Sequence, residues 1–534
     1  MHEMVLLGDE AVALGAIHAG LTAAYGYPGT PATEILEYLI EREAREGRPL
    51  AAWCANEKTA YEEALGVSFA GRRALVSMKH VGLNVAADPF INSALVQING
   101  GLVVAVADDP GMHSSQNEQD SRFYADFARV ICLEPANQQQ AYEMTREAFD
   151  LSEGFEIPVL IRLVTRLAHS RTAIHTSEAR SENPVGKAKD SANSWVLIPH
   201  NARRRWHELL LRQREIAACT ESLRYNSLEL NPEPRDFGVI TAGVTYNYYM
   251  ENLEDLAVRP CHLHVGAYPI PVEKVRQLAG HVKRILVLEE GYPLLERQLR
   301  GIVPLPVEIL GRETGDIPSD GELTPDIVRW ALGLPRRQAL QIPGIELADR
   351  PPQLCAGCPH CDTLSALKNA LAGYPEPVVT SDIGCYTLGA LPPFCAIETC
   401  VCMGASVGMA KGASEAGLHP VVAVIGDSTF LHSGVTPLMD AAAANANMTL
   451  IIADNGTVAM TGTQPTILPQ PRLEQIVLGT GVDPAHFHVL TAHRKFLDDN
   501  TRVLQSELEY PGLSVIISRR ECLEAVKLSK GGAQ

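Results

Sequence analysis

Cys355, Cys358, Cys385 and Cys522 lie on either side of two short segments, Gly426-Asp427-Ser428 and Asn455-Gly456-Thr457. Four thiolates hold either zinc or a [4Fe–4S] cluster. Zinc usually takes two close pairs. One close pair, Cys355-Ala-Gly-Cys358, with two remote single cysteines fits a cluster inside a folded domain better, with structural zinc and plain thiols as open alternatives. Cys361 continues the run, and spacing alone admits it as a third ligand. An Asp carboxylate, an Asn carbonyl oxygen and a backbone carbonyl are hard oxygen donors. They suit Mg²⁺, which completes its octahedron with phosphate oxygens and water.

These donors need elements that bring them together. Val421–Ile425 is a buried-strand run ending at Gly426-Asp427-Ser428, and Leu450–Ala453 is a second one ending before Asn455. Asp427 and Asn455 are 28 residues apart (455 − 427), room for one helical crossover between neighbouring parallel strands. Open parallel sheets bind ligands beyond the carboxyl ends of their strands, so both side chains are expected in one crevice. Gly426, Ser428 and Gly456 are small enough to let backbone approach a diphosphate. Gly-Asp alone is a common turn; the signal is the pair of strand ends.

A second set lies near the amino terminus. Glu57 opens an apolar helical run from Asn56 to Phe69, where an acid is favoured by the helix dipole or serves a cofactor nitrogen. Met78-Lys79-His80 follows the strand Ala74–Lys79. Asp108 through Arg122, with His113, follows the strand Leu102–Ala107. Polar loops at neighbouring strand ends make a plausible active-site wall; as isolated residues His80, His113 and Arg122 are ordinary loop positions. Cys395, Cys400 and Cys402 sit in an apolar stretch and read as buried small hydrophobes, as do Cys54, Cys132, Cys219 and Cys261.

The 534 residues carry a net charge of −18 with 46% apolar and 6% aromatic residues. Without a basic patch, nucleic acid is not an expected partner. No secretory signal or long apolar run is read, so a cytoplasmic protein without a membrane span is expected, in which twelve cysteines serve as buried thiols or metal ligands rather than disulfides.

Three alternating strand–helix segments follow: residues 1–170, a smaller one at 236–335, and 354–534. Between them lie a linker with a helix at 171–235 and a Pro-containing linker at 336–353. Predicted strands include Pro158–Arg162, Phe237–Thr241, Ile285–Glu289, Val378–Thr380 and Ser514–Ile517, and a helix is predicted from Gln138 to Leu151. The basic Arg203-Arg-Arg-Trp206 reads as a solvated helix face.

Taken together, the stretches Gly26–Ile35, Asn56-Glu57-Lys58, Met78–Asn84, Ala107–Arg122, Asp382–Leu388, Met403–Met409, Gly426–Gly434 and Asp454–Gln464, with the cysteines, resemble the large subunits of indolepyruvate:ferredoxin oxidoreductases, thiamine-diphosphate 2-oxoacid oxidoreductases. The resemblance runs from residue 26 to residue 522. It implies two doubly wound α/β domains, pyrimidine-binding (1–170) and diphosphate-binding (354–534), with a smaller transketolase C-terminal-like α/β domain between them. Glu57 would hydrogen-bond the pyrimidine ring of thiamine diphosphate and so promote loss of the thiazolium C2 proton. Asp427, Asn455 and the Thr457 carbonyl would bind Mg²⁺, with Gly426, Ser428, Met403 and Gly404 against the cofactor. Cys355, Cys358, Cys385 and Cys522 would hold a [4Fe–4S] cluster, with Cys361 left out. Thr30, His80 and Arg122 fall where substrate-contacting residues are expected.

The implied reaction is oxidative decarboxylation of a 2-oxoacid, of the indolepyruvate or other arylpyruvate class, with coenzyme A taking the acyl group. Relatives usually carry a C-terminal ferredoxin-like domain with two Cys-x₂-Cys-x₂-Cys-x₃-Cys-Pro runs. Here the sequence stops twelve residues after Cys522, so electrons are expected to pass to ferredoxin or to a dedicated electron-transfer subunit. A small γ-type subunit is expected to complete a hetero-oligomer. Cys361, where relatives more often carry Arg, is a departure. Two rivals remain at this stage: a non-redox thiamine-diphosphate decarboxylase, which needs Glu57 and Asp427 but no cluster, and a non-catalytic partner that keeps the fold.

Overall fold

The structure, a computed structural model, describes residues 3–232, 236–338, 344, 352–468 and 470–531. Most of the expected linker at 336–353 lies outside the described residues. The chain forms two compact units, residues 1–341 and 342–534.

Unit 1 contains two sheets. The larger has seven strands. Across it run Ile131–Leu133, Val159–Val164, Leu102–Asp108, Ala74–Lys79, Ala23–Gly26 and Leu50–Trp53, all parallel. Every residue of the central strands Ala74–Lys79, Leu102–Asp108 and Val159–Val164 is buried. Helices cover both faces, which is why these strands read as unbroken apolar runs without alternation. Asn56 caps the helix Glu57–Phe69 by accepting the Thr59 N–H, and Asn137 caps Gln138–Phe155 by accepting from Gln140 N. The helix Gly8–His18 packs against Gln138–Phe155 so closely that a Cβ on Gly15 would meet the Tyr142 carbonyl oxygen at 2.6 Å.

The smaller sheet has five strands. Glu308–Leu310, Arg284–Leu288, Phe237–Ala242 and Cys261–Val265 run parallel, with Ser227–Glu229 antiparallel at the edge. The next two residues past its Cys261–Val265 strand and Gly266, Ala267–Tyr268, cross over and pair antiparallel with Ile131–Leu133 of the larger sheet. In the stretch read as linker plus helix, Arg171–His175 pairs with Glu3–Leu7, and the helix spans Pro199–Ser222. Its basic cluster is not wholly solvated: Arg205 is buried, donating to the Leu95 carbonyl and pairing with Glu208.

Unit 2 holds one parallel five-stranded sheet in the order Val378–Ser381, Val421–Gly426, Met448–Asp454, Leu513–Arg519, Phe487–Thr491. The predicted strands are all present: Ala74–Lys79 residue for residue, Ile285–Glu289 shifted by one to Arg284–Leu288, Pro158–Arg162 as Val159–Val164, and the others extended by one to several residues. The molecule is thus an α/β protein with two doubly wound sheets and a smaller α/β layer in unit 1. Among the described residues no helix is long and apolar enough to cross a membrane.

Candidate functional site

In unit 1 the parallel register aligns the carboxyl ends of four neighbouring strands. From Ala23–Gly26 the chain leads to Thr30, from Leu50–Trp53 to Glu57, from Ala74–Lys79 to His80, and from Leu102–Asp108 to the loop carrying His113 and Ser114. Glu57 is 5% exposed. A Cβ on Gly82 would meet Glu57 Oε1 at 2.5 Å, so the first turn after His80 rests against that carboxylate and only glycine fits there. His80 is 1% exposed, and neither ring nitrogen makes a hydrogen bond within ordinary distance and angle limits. Burial holds its pKa below the usual histidine range, so the ring stays neutral, against a weaker opposite pull from Asp108. Ser114 Oγ donates to the Thr30 carbonyl at 3.3 Å, tying the two outer loops together. His113 is half exposed, 3.5 Å from Glu322.

Arg122 differs from the other three. Its guanidinium is fully enclosed. It pairs with Asp120 at 2.5 Å and Glu289 at 3.0 Å, with Glu134 at 3.7 Å, and donates to Tyr268 Oη and to the carbonyls of Glu290 and Tyr292. Arg162 lies in the same network, bound to Asp108 and Glu134. The sequence reading put Arg122 at the substrate; the structure engages its donors within the protein, where they join the two sheets of unit 1. Arg162 escaped notice because it interrupts the strand Val159–Val164, whose other residues are apolar.

In unit 2 the same principle aligns Asp382, Asp427, Asn455 and Cys522 beyond four adjacent strands. Asp382 Oδ2 accepts from Ser406 Oγ at 2.5 Å and from Ser406 N, while Tyr386 donates to Oδ1. This holds the turn of Met403 and Gly404. Gly404 has φ +84°, and a Cβ there would strike Ser433 at 2.7 Å. A Cβ on Gly426 would meet Tyr386 at 2.7 Å.

Asp427 is buried, and no basic side chain pairs with it among the described residues. Burial pushes its carboxyl up to about 8, the neighbouring Asp454 adds to this, and the Ser428 and Asn455 amides oppose it. Asp454 itself is matched by Arg519 at 2.6 Å. Asn455 Oδ1 accepts from Thr457 N at 3.1 Å and keeps a second lone pair, while Nδ2 meets His360 Nε2 at 3.3 Å. The Ser428 hydroxyl is buried without a partner. An unmatched buried acid, an amide oxygen and an orphaned hydroxyl make a donor set that fits a divalent cation with a phosphate group.

The four cysteines, with Cys361, lie near enough to act on one another electrostatically. Cys355, Cys361 and Cys385 each raise the Cys358 thiol, which burial, the larger cause, pushes up to about 12; burial, then Cys522 and Cys355, push Cys385 up to about 11. Cys358 N donates to the Cys355 carbonyl and Cys361 N to that of Cys358, a tight turn leading into the helix Pro359–Leu371. No three of these sulfurs lie within 4.8 Å of one another among the described residues. The Cys522 amide donates to the Asn455 carbonyl at 3.1 Å, so the sulfur and oxygen donor sets share a backbone hydrogen bond. Cys54, Cys132 and Cys261 are buried as read, and Cys219 partly so. Cys395, Cys400 and Cys402 are exposed, a correction: their apolar stretch forms no regular element and leaves Leu391 and Val401 in solvent as well.

Sequence reasoning passed over Lys79. It ends the strand Ala74–Lys79, is 8% exposed, and burial pulls its ammonium down to about 8. Its signal in the sequence was a lysine closing an otherwise apolar strand.

Comparison with known proteins agrees with this geometry. Residues 14–197 match the family described as pyruvate flavodoxin/ferredoxin oxidoreductase, thiamine diP-binding, and residues 382–499 match the thiamine pyrophosphate enzyme C-terminal TPP-binding domain. The indolepyruvate oxidoreductase subunit IorA of Methanothermobacter thermautotrophicus is 35% identical across 98% of this chain and 87% of its own. That of Archaeoglobus fulgidus is 35% identical across 97% of this chain and 86% of its own. The solved 2-oxoglutarate:ferredoxin oxidoreductase from Magnetococcus marinus shares the fold, with TM-score 0.52 and 18% identity over 62% of this chain and 65% of its own. On the strength of this end-to-end likeness, the chain belongs to the indolepyruvate oxidoreductase IorA family, as a catalytic large subunit of the thiamine-diphosphate-dependent 2-oxoacid:ferredoxin oxidoreductases.

Proposed function

We propose that the protein oxidatively decarboxylates an arylpyruvate, indolepyruvate or a close analogue, with coenzyme A as acyl acceptor. Electrons leave through a [4Fe–4S] cluster on Cys355, Cys358, Cys385 and Cys522 to ferredoxin or a separate electron-transfer subunit, and a small γ-type subunit completes the complex. When bound, thiamine diphosphate supplies the carbon nucleophile that opens the bond to the carboxylate, and the cluster accepts the electrons. The residues of the chain bind, orient and hold protons. Glu57, buried at a helix start, accepts a hydrogen bond from a cofactor ring nitrogen. Asp427, Asn455 and the Thr457 carbonyl bind Mg²⁺, which neutralises the Asp427 carboxylate. Met403, Gly404, Gly426 and Ser428 let backbone and hydroxyl approach the cofactor. His80, held neutral, and Thr30 face the substrate.

The observation that carries this reading is the shared backbone hydrogen bond between Cys522 and Asn455. It supports an iron site lying against a magnesium site on one sheet edge, an arrangement a non-redox decarboxylase has no use for. The test is anaerobic purification with the native partner subunits, iron analysis, and a 2-oxoacid screen followed by viologen reduction. Four irons per chain and dye reduction with arylpyruvates are expected, both lost in Cys385→Ser. An iron-free, colourless enzyme that still decarboxylates would refute the redox assignment.

A further inference from the structure

Seven lysine and arginine side chains are buried among the described residues: Arg73, Lys79, Arg122, Arg162, Arg205, Arg312 and Arg329. Every arginine of this set has a carboxylate within 4.0 Å. Lys79 has none. Its Nζ donates to the Ser114 carbonyl at 2.7 Å and reaches Ser114 Oγ at 3.4 Å. The nearest acid acting on it, Asp109, is already committed: Oδ2 accepts from Ser114 N and Ser115 Oγ, and Oδ1 from Thr165 Oγ1. A buried ammonium with no carboxylate in contact is costly, so a structure that keeps one has a use for it.

The position says what use. Lys79 ends the strand whose next residue is His80, and its hydrogen-bond partner Ser114 binds the Thr30 carbonyl. A Cβ on Gly29 would touch Lys79 Cβ at 3.1 Å, so the Thr30 loop packs directly on its stem. The unmatched cation therefore lies among the residues assigned to substrate, and the Arg122 guanidinium, a more obvious anion partner, is surrounded by three carboxylates.

We propose that Lys79 anchors the carboxylate of the 2-oxoacid, its ammonium supplying the buried counter-charge on the unit 1 strand edge beside His80 and Thr30. This rests on the 2-oxoacid reading of the site. A lysine suits the task because its compact charge sits at the end of a flexible stem and needs no fixed bidentate fit. The lowered pKa of Lys79 supports the placement, since a bound anion repairs the cost of its burial.

The test uses the anaerobic holoenzyme with its partner subunits, carrying Lys79→Met, Lys79→Gln or Lys79→Arg. The KM for phenylpyruvate in viologen reduction should rise about a hundredfold in Lys79→Met, the loss of one charge-assisted bond in a buried site. By calorimetry, binding of the unreactive 3-phenylpropionate should weaken by a similar factor, while thiamine diphosphate affinity holds. Lys79→Arg should recover most of the 3-phenylpropionate binding. The wild type should prefer 3-phenylpropionate over its methyl ester, and Lys79→Met should lose that preference. Should Lys79→Met fail to fold, Lys79→Gln carries the same measurements. Unchanged KM and 3-phenylpropionate affinity, or equal weakening of acid and ester, overturns the assignment. Failure of the wild type to reduce viologen with any 2-oxoacid sinks the proposed function instead, and leaves the 3-phenylpropionate titration as a separate reading of Lys79.

Discussion

The two units present their charges in opposite ways. Where its two sheets meet, unit 1 matches buried ions to one another: Arg122 and Arg162 are shared among Asp108, Asp120, Glu134 and Glu289 before any ligand arrives. In unit 2 the site is left unfinished. Asp427 is a buried acid without a cation among the described residues, and Cys358 and Cys385 are thiols held protonated by burial and by neighbouring thiols. The first region is built by folding, and on the function proposed above the second would be completed by metals. The difference shows where each should be vulnerable: unit 1 to changes in its own side chains, unit 2 to loss of what binds it.

The sharpest test of that contrast on the unit 1 side is Glu57→Gln. It keeps size and polarity but removes the proton acceptor, so kcat should fall by about 10³ to 10⁴, the upper range for a positioned acid–base group. An unchanged melting temperature would show that the loss is chemical. Asp427→Ala tests the opposite side. If Asp427 holds Mg²⁺ as proposed, its removal should weaken magnesium-dependent thiamine diphosphate binding about a thousandfold by calorimetry, without destabilising the metal-free chain. A large drop in stability of the metal-free variant would mean that Asp427 is an internal partner after all. Arg162→Met should cost about 3–5 kcal/mol in urea unfolding, because it leaves Asp108 and Glu134 buried without their cation. A change under about 1 kcal/mol, the usual surface-pair value, would break the claim that the Arg122–Arg162 network matches its charges internally.

The smallest effect concerns His262 and His264, which share the Thr241 hydroxyl in the smaller sheet of unit 1. Burial lowers His262 to about 3 and His264 to about 4. The folded pKa values lie below the unfolded value, so the unfolded chain binds more protons from about pH 6.5 downward, and stability present above that pH is lost on acidification. Each contributes at most about 1.4 kcal/mol per pH unit. Between pH 6.5 and 5 the urea midpoint should fall, and His264→Asn should make that fall shallower; identical slopes would dismiss the pair as the cause.

Much of this was legible in the sequence where a pattern extends over several residues. Ala74–Lys79, Val421–Gly426 and the helix opening at Glu57 are long periodic or apolar runs with clear end signals, and they place Glu57, His80, Asp427 and Asn455 at strand or helix ends. Residue type and spacing suggested Cys355, Cys358, Cys385 and Cys522 as a set with its ligand left open, and only the resemblance chose a cluster without Cys361, since nothing local links residues 137 positions apart (522 − 385). The enclosure of Arg122 was not legible, because a polar loop after a strand reads the same whether its arginine faces a ligand or five acceptors supplied by distant segments. The exposed Cys395–Cys402 stretch was misread because apolar composition says nothing of burial when no regular element presents one face. Lys79 was passed over because a missing counter-ion becomes visible only once the neighbours are known.

The dipeptide Ala267–Tyr268 has a consequence for how the molecule can be taken apart. It belongs by sequence to the smaller sheet's segment but closes the margin of the larger one against Ile131–Leu133, and its Tyr268 hydroxyl donates to Glu134 at 2.6 Å. Severing the chain near residue 235 would strip that margin and bare a row of unpaired amides and carbonyls, an invitation to intermolecular pairing. Fragments 1–235 and 236–341 should therefore be sticky when expressed apart, and shuffling the middle lobe between relatives would need this borrowed edge to travel with it.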